Sequence, residues 1–274
     1  MTVLPSIAIL GAGSMGGAIL SGLLHPTVTV DGGIRVTNRT EVKAASLRTD
    51  AVTSLALETD PAANRVAVAG ARIVLVGVKP AMVAGLLREI APALDADAIV
   101  VSVAAGVTTA TMEDIVPNAV LRAMPNTPAL IGRGVTGLSA GSRASAQHLA
   151  IARALFETVG EVLEIPEDRI DALSTISGSG PAYVFYLIEQ LTRTAISLGF
   201  SAEDAATMVN GTFAGASELL VRSGEDPAEL RRRVTSPKGT TERAIAELER
   251  ADLASLFDRA TAAALARAKE LAAG

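Results

Sequence analysis

An apolar run, Ile7-Ala8-Ile9-Leu10, leads straight into Gly11-Ala12-Gly13-Ser14-Met15-Gly16, and a helical pattern begins at once. The order of strand, glycine turn and helix constrains the chain more than the glycines alone. Gly11 can make the tight turn off the strand. Gly13 has no side chain to keep a pyrophosphate away from the free N–H groups and positive dipole end of the next helix. Gly16 lets that helix lie close to the sheet. A G-x-G-x-x-G set between strand and helix predicts a dinucleotide-binding α/β domain.

The chain beyond Gly16 fits such a domain. Strands are predicted at 7–10, 34–37, 73–78, 98–103, 119–122, 135–140 and 161–165, and helices near 14–24, 62–68, 81–91 and 144–158. Alternation of this kind predicts a parallel sheet covered on both faces, with ligands outside the carboxyl ends of its strands. Beyond Pro166 the strand signals vanish. The division expected is therefore a dinucleotide-binding Rossmann-type domain over 1–165 and an all-helical domain over 166–274. Pro181–Leu198 is apolar on nearly every side, which predicts burial all round. Ser201-Ala202-Glu203-Asp204 reads as a helix start with an acidic first turn, and one final helix covers Leu253–Leu271. A fully apolar helix in so small a domain suggests that a second copy completes its burial, so a homodimer is expected.

Composition narrows the chemistry. The chain has 274 residues, of which 49% are hydrophobic. Its apolar runs are short, and none approaches the ~20 residues a membrane span needs. The first ten residues carry no Lys or Arg, unlike a signal peptide's charged start, so a cytoplasmic protein is expected. A net charge of −5 argues against a nucleic-acid partner. The one basic cluster, Arg231-Arg232-Arg233, reads as a solvated helix face. Without cysteine there is no thiol nucleophile and no thiolate metal site. The two histidines, His25 and His148, read as surface residues without ligand-like neighbours. No metal site is expected, and a bound organic cofactor is left to carry the chemistry.

The dinucleotide is read at the end of the second predicted strand, Val36-Thr37-Asn38-Arg39-Thr40. An acid there would take the ribose hydroxyls of NADH and repel a 2′-phosphate. Arg39 instead offers planar, bidentate donors, with Asn38 and Thr40 adding neutral hydrogen bonds. NADPH is therefore the expected cofactor, with NADH usable. Val78-Lys79-Pro80 and Ser102-Val103-Ala104-Ala105-Gly106 close two further strands with small residues across which a cofactor can lie. Taken alone, both are equally well explained as strand-to-helix turns.

Two segments of the helical half look too specific for packing. Ser177-Gly178-Ser179-Gly180-Pro181-Ala182-Tyr183 precedes the apolar helix, and Ser236-Pro237-Lys238-Gly239-Thr240-Thr241 precedes a helix over Glu242–Arg250. Backbone N–H groups at a helix start favour a carboxylate, and threonine hydroxyls both donate and accept. A Thr-capped helix behind a proline turn would look the same.

With Met124-Pro125-Asn126-Thr127-Pro128 between them, these motifs occur in an order that resembles the Δ1-pyrroline-5-carboxylate reductases, from about Ile7 to Leu271. The resemblance implies reduction of 1-pyrroline-5-carboxylate to L-proline by hydride from NAD(P)H, the last step of proline biosynthesis. It implies a Rossmann domain followed by a helical dimerisation domain, often assembled further into rings. Its cofactor contacts would fall on Leu10, Gly11, Ala12, Gly13, Ser14, Met15 and Gly16, and on Asn38, Arg39 and Thr40. Asn64 would hold a cofactor ribose, and Gly77, Val78, Lys79, Pro80, Val103, Ala104 and Ala105 would complete the set. Glu167 matches an acidic position near cofactor and substrate. Ser236 and the amides of Gly239, Thr240 and Thr241 would hold the substrate carboxylate, on a loop from the partner chain. The Thr241 hydroxyl would meet the ring nitrogen and is the expected catalytic group. Two departures are Lys238, where glycine is usual, and Gly224, where some members carry an acid.

Reduction of a protonated imine needs alignment more than side-chain acid–base work, which suits a chain with so few nucleophiles. A β-hydroxyacid dehydrogenase would share the glycine motif but needs a lysine within the second domain's helices. The four lysines here are Lys43, Lys79, Lys238 and Lys269, none inside the central helices. A non-catalytic NADP sensor would need no loop such as Ser236–Thr241.

Overall fold

The glycine turn leaves the middle of an eight-stranded sheet in a computed structural model of the chain, which describes residues 1–273 and side chains through 270. In chain order the first elements are β1 (Thr2–Leu4), β2 (Ile7–Leu10), α1 (Ser14–Leu23), β3 (Val28–Val30), β4 (Ile34–Asn38), α2 (Glu41–Ala45) and β5 (Val52–Ala56). There follow α3 (Ala63–Val68), β6 (Ile73–Val76), α4 (Pro80–Ile90), β7 (Ile99–Ser102), α5 (Thr109–Glu113) and β8 (Ala119–Met124). Then come β9 (Gly134–Ala140), α6 (Ala146–Glu157), β10 (Gly160–Glu164) and α7 (Ile170–Leu173). The chain ends in α8 (Gly180–Ser197), α9 (Ala202–Ser223), α10 (Pro227–Arg233), α11 (Thr240–Arg250) and α12 (Leu253–Ala273).

Strand order in the sheet is β10-β9-β8-β7-β6-β2-β4-β5. Every residue of β2, β6 and β7 is buried, as the unbroken apolar runs require of parallel strands covered on both faces. From β2 the chain builds outward through β4 and β5, then returns to the other side of β2 with β6. The point of reversal lies between β2 and β6, and there the turns after the two strands diverge and open a crevice. Two hydrophobic layers sandwich the sheet, one around Ile9, Ile19, Leu75 and Phe156 and one around Leu10, Val74, Leu87 and Val120.

Several details of the sheet domain depart from the sequence expectation. The strands β1 and β3 are three residues each, too short to show a period, and the edge strand β5 (Val-Thr-Ser-Leu-Ala) is absent from the sequence expectation. β9 runs antiparallel to β8, because the link through the 3₁₀ turn Thr127–Ile131 is too short for the crossover a parallel pair needs. His148 does more than face solvent: its ring accepts from the Ser145 N–H while the Ser145 hydroxyl accepts from the His148 N–H, a reciprocal cap on α6.

Two compact units divide between Ser179 and Gly180, with the chain from Ala264 grouped with the first. In the second unit, α8 packs against α9, and Tyr183 of α8 meets Phe257 of α12 with ring centroids 6.2 Å apart. The expected all-round burial of α8 does not hold within one chain. Ala195 is the only buried residue of that helix, whereas Phe185 is 65% and Tyr186 61% exposed. Val184, Leu187, Leu191 and Ile196 are open beside them, an apolar face of the kind that marks a protein interface. Arg231, Arg232 and Arg233 lie on α10 as expected, exposed and paired with Glu249, Glu229 and Glu225. No helix among the described residues is long and apolar enough to cross a membrane.

Candidate active site

The turn after β2 takes the conformation its glycines allow. Gly11 sits at φ +89°, a left-handed value that strains any other residue. A Cβ on Gly16 would stand 2.7 Å from the Gly11 carbonyl oxygen, so only glycine lets α1 lie this close to the turn. Gly13 differs: a Cβ there would meet nothing within 4 Å. Gly13 is also the N-cap of α1 and caps it without a side chain. The first-turn amides of a helix have no intrahelical acceptor, so the open space before Gly13 faces free donors at a positive dipole end.

That space belongs to a cleft of about 700 Å³ over the carboxyl ends of β2, β4 and β6. Gly11, Ala12 and Gly13 line it from the first turn, Asn38, Arg39 and Thr40 from the second, and Gly77, Val78 and Lys79 from the third. Asn64 lines it from α3. Pro80 is the first residue of α4, where a missing N–H costs nothing. Leu10, Ser14, Met15, Gly16 and Pro80 flank the cleft in sequence without lining it.

Charge and hydrogen-bonding capacity suit a phosphorylated dinucleotide. Arg39, Lys43 and Lys79 bring three cations against one acid, Glu89. Asn38 is 8% exposed, and its side-chain Nδ2 is buried without a partner in the chain. An orphaned donor on the wall of a cleft implies an acceptor brought by a ligand. Asn64 is held in place: its Oδ1 accepts from the Thr37 hydroxyl at 2.8 Å, and its Nδ2 donates to the Glu89 carboxylate at 3.2 Å.

Residues that sequence reasoning missed make the cleft's apolar wall and part of its charge. Leu57 and Pro61 come from the chain after β5, and Met82, Leu86 and Glu89 from α4. The last three recur at i, i+4 and i+7, a spacing that puts them on one helix face. Lys43 lies three residues after Thr40, which caps α2 by accepting from the Lys43 N–H.

Val103, Ala104, Ala105 and Glu167 do not line this cleft. The first three form the turn after β7, where the Ala104 N–H donates to the buried Ser102 hydroxyl at 3.2 Å. Glu167 accepts from both the N–H and the hydroxyl of Thr109.

In the second unit, Ser236–Gly239 form the turn into α11, with the Gly239 N–H donating to the Ser236 carbonyl at 2.9 Å. Lys238 has φ +61°, which explains why glycine would sit there more easily. Its N–H donates to the Glu242 carboxylate at 3.0 Å. Gly239 is the N-cap of α11, and Thr240 and Thr241 open the helix with their first-turn amides free of intrahelical acceptors.

Comparisons with known proteins find matches in both the N-terminal and the C-terminal parts of the chain. Residues 167–271 match the family described as pyrroline-5-carboxylate reductase dimerisation, and residues 6–106 match NADP oxidoreductase coenzyme F420-dependent. A pyrroline-5-carboxylate reductase of Corynebacterium melassecola is 39% identical over 97% of this chain and 98% of its own. That of Pseudomonas aeruginosa is 38% identical over 98% and 97%. The solved structure of a pyrroline-5-carboxylate reductase from Coxiella burnetii is 35% identical with a TM-score of 0.88, covering 97% of each chain. With its glycine turn, its cationic cleft and full-length similarity of this degree, the chain belongs to the pyrroline-5-carboxylate reductase family.

Proposed function

We propose that the chain reduces 1-pyrroline-5-carboxylate to L-proline with NADPH, accepting NADH as well, as a homo-oligomer in the cytoplasm. The observation that carries this reading is the cleft beside the open face of Gly13, with an orphaned Asn38 amide and three cations, in a chain similar over its whole length to such reductases. Residues 1–165 serve the cofactor, and residues 166–274 serve dimerisation and the substrate.

When bound, the reduced nicotinamide supplies the hydride. The chain's residues bind and align. The turn Gly11–Gly13 and the start of α1 take the pyrophosphate, Arg39 with Asn38 and Thr40 takes the 2′-phosphate, and Asn64 a ribose. Gly77–Pro80 and Val103–Ala105 border the rest of the cofactor. Ser236 and the amides of Gly239, Thr240 and Thr241 hold the substrate carboxylate at the start of α11. Thr241 is the catalytic residue: its hydroxyl bonds the ring nitrogen and fixes the imine carbon for attack. A hydroxyl is a poor proton store, so Thr241 orients the nitrogen and need not supply its proton. The loop reaches this position from the partner chain, and the exposed face of α8 is the interface that brings the partner.

Adding the imine acid to protein and NADPH should consume NADPH and yield proline in equal amount. Turnover of a β-hydroxyacid instead, or NADPH binding without turnover of the imine, would replace this reading with a dehydrogenase or a sensor.

A further inference from the structure

A buried charge lies behind the turn that borders the cofactor, and nothing in the proposed chemistry uses it. Arg122 of β8 has a side chain only 4% exposed, and it stands opposite Ser102 in the β7–β8 ladder. Its Nη2 meets Asp171 at 2.5 Å and its Nη1 lies 3.7 Å from Glu167, while its Nε has no partner. Glu167 turns its two oxygens to Thr109, one to the N–H at 2.7 Å and one to the hydroxyl at 2.5 Å. Thr109 is itself buried and opens α5, directly after the turn.

The turn Val103–Thr108 is held at its two ends. At one end the Ala104 N–H bonds Ser102. Among the described residues, the N–H groups of Ala105, Gly106, Val107 and Thr108 bond nothing else in the chain. At the other end the Thr108 carbonyl and hydroxyl accept from the N–H groups of Met112 and Thr111, and the Thr109 N–H bonds Glu167. A charged carboxylate gripping two donors is a strong fixture, since such bonds are about twice as strong as neutral ones. Arg122 compensates the negative charge from the sheet side, and Asp171 shares that cation.

We infer that Glu167 is a positioning residue: it fixes, through Thr109, the turn Val103–Ala105 against which the nicotinamide end of the cofactor lies, with Arg122 as its counter-charge. This inference rests on the proposed reductase reading. The role rests on the two bonds to Thr109, one to each carboxylate oxygen. Hydride transfer is sensitive to placement, and a shift of about 1 Å can cost roughly 100-fold in rate.

The test uses the full-length oligomer and the variants Glu167→Gln and Thr109→Val. An amide keeps one acceptor and places an NH₂ where the second donor of Thr109 points. Thr109→Val removes the hydroxyl and leaves the N–H bond to Glu167. We expect Glu167→Gln to lower kcat at least tenfold and Thr109→Val severalfold. In both, the isotope effect with NADPH deuterated at the transferred position should rise, as hydride transfer becomes more fully rate-limiting. Binding of 2′-phospho-ADP-ribose, which lacks the nicotinamide, should stay within about twofold of the parent. A residue that only stabilises the fold would lower the melting temperature and leave kcat per folded site and the isotope effect alone, and that outcome overturns the inference. If Glu167→Gln does not fold, Thr109→Val decides: unchanged kcat and isotope effect overturn it. An inactive parent protein would instead overturn the reductase reading itself.

Discussion

Gly13→Ala separates the cofactor role of the glycine turn from its structural role. Gly13 has φ −72° and ψ −153°, an extended conformation with negative φ, and a Cβ would touch nothing in the chain. Alanine is the poorer N-cap, but it also lowers the entropy of the unfolded chain, so folding stability should change by less than about 1 kcal/mol. The methyl group would instead occupy the space assigned to the pyrophosphate. Overpacking of this size costs roughly 1–3 kcal/mol, or about 5- to 150-fold in the NADPH dissociation constant. Gly16→Ala is the control, because its Cβ would stand 2.7 Å from the Gly11 carbonyl oxygen. That clash is present in the free protein, so about 1–3 kcal/mol of stability should go with it. Fluorescence titration with NADPH and a urea melt measure both quantities on both variants. Wild-type affinity in Gly13→Ala, or a stability loss matching that of Gly16→Ala, would refute the assignment of this space to the cofactor.

Further expectations concern the other parts of the site. Arg39→Ala removes a charge-assisted contact worth roughly 1.5–3 kcal/mol, so KM for NADPH should rise about 10- to 150-fold while KM for NADH moves little; steady-state kinetics with both cofactors read this, and equal effects would count against the 2′-phosphate role. Lys238→Gly relieves a left-handed backbone at φ +61°, and a calorimetric melt should show about 0.5–1 kcal/mol of added stability after glycine's own entropy cost. Phe185→Glu places a charge on the open face of α8, where each buried Phe contributes about 1.5–3 kcal/mol. Two copies per dimer should shift assembly to monomer in a sedimentation experiment, and an intact oligomer would move the interface elsewhere.

The first unit is largely legible because its signals are local. Ile7–Leu10, Ile73–Val76 and Ile99–Ser102 are short apolar runs that only a parallel strand buried on both faces can use, and each lies where its run places it. Arg39 and Lys79 are readable because they stand at strand ends, where the backbone fixes their place over the crevice. The apolar wall is not. Met82, Leu86 and Glu89 share a face with core residues of α4, and sequence spacing alone does not say which part of that face is open to the cleft. Glu167 is visible only as an acidic position; its grip on Thr109 joins residues 58 apart, a distance no local pattern spans. Helix α8 misleads in the other direction. Its all-round apolar sequence predicts burial, yet within one chain Ala195 alone is buried, because an apolar pattern does not say whether the covering surface lies in the same chain.

Mixed oligomers of Gly13→Ala and Thr241→Ala chains test most directly whether the cofactor cleft of one chain works with the threonine loop of its partner. Thr241→Ala alone should lose turnover while keeping NADPH affinity, and Gly13→Ala alone should be nearly silent at NADPH concentrations below its raised dissociation constant. Random mixing of the two should regenerate intact sites at about a quarter of the wild-type number, because each mixed dimer pairs one sound cleft with one sound loop. Imine-dependent NADPH oxidation that rises to about that level on mixing is the predicted result. Activity no greater than the sum of the two parents would contradict it.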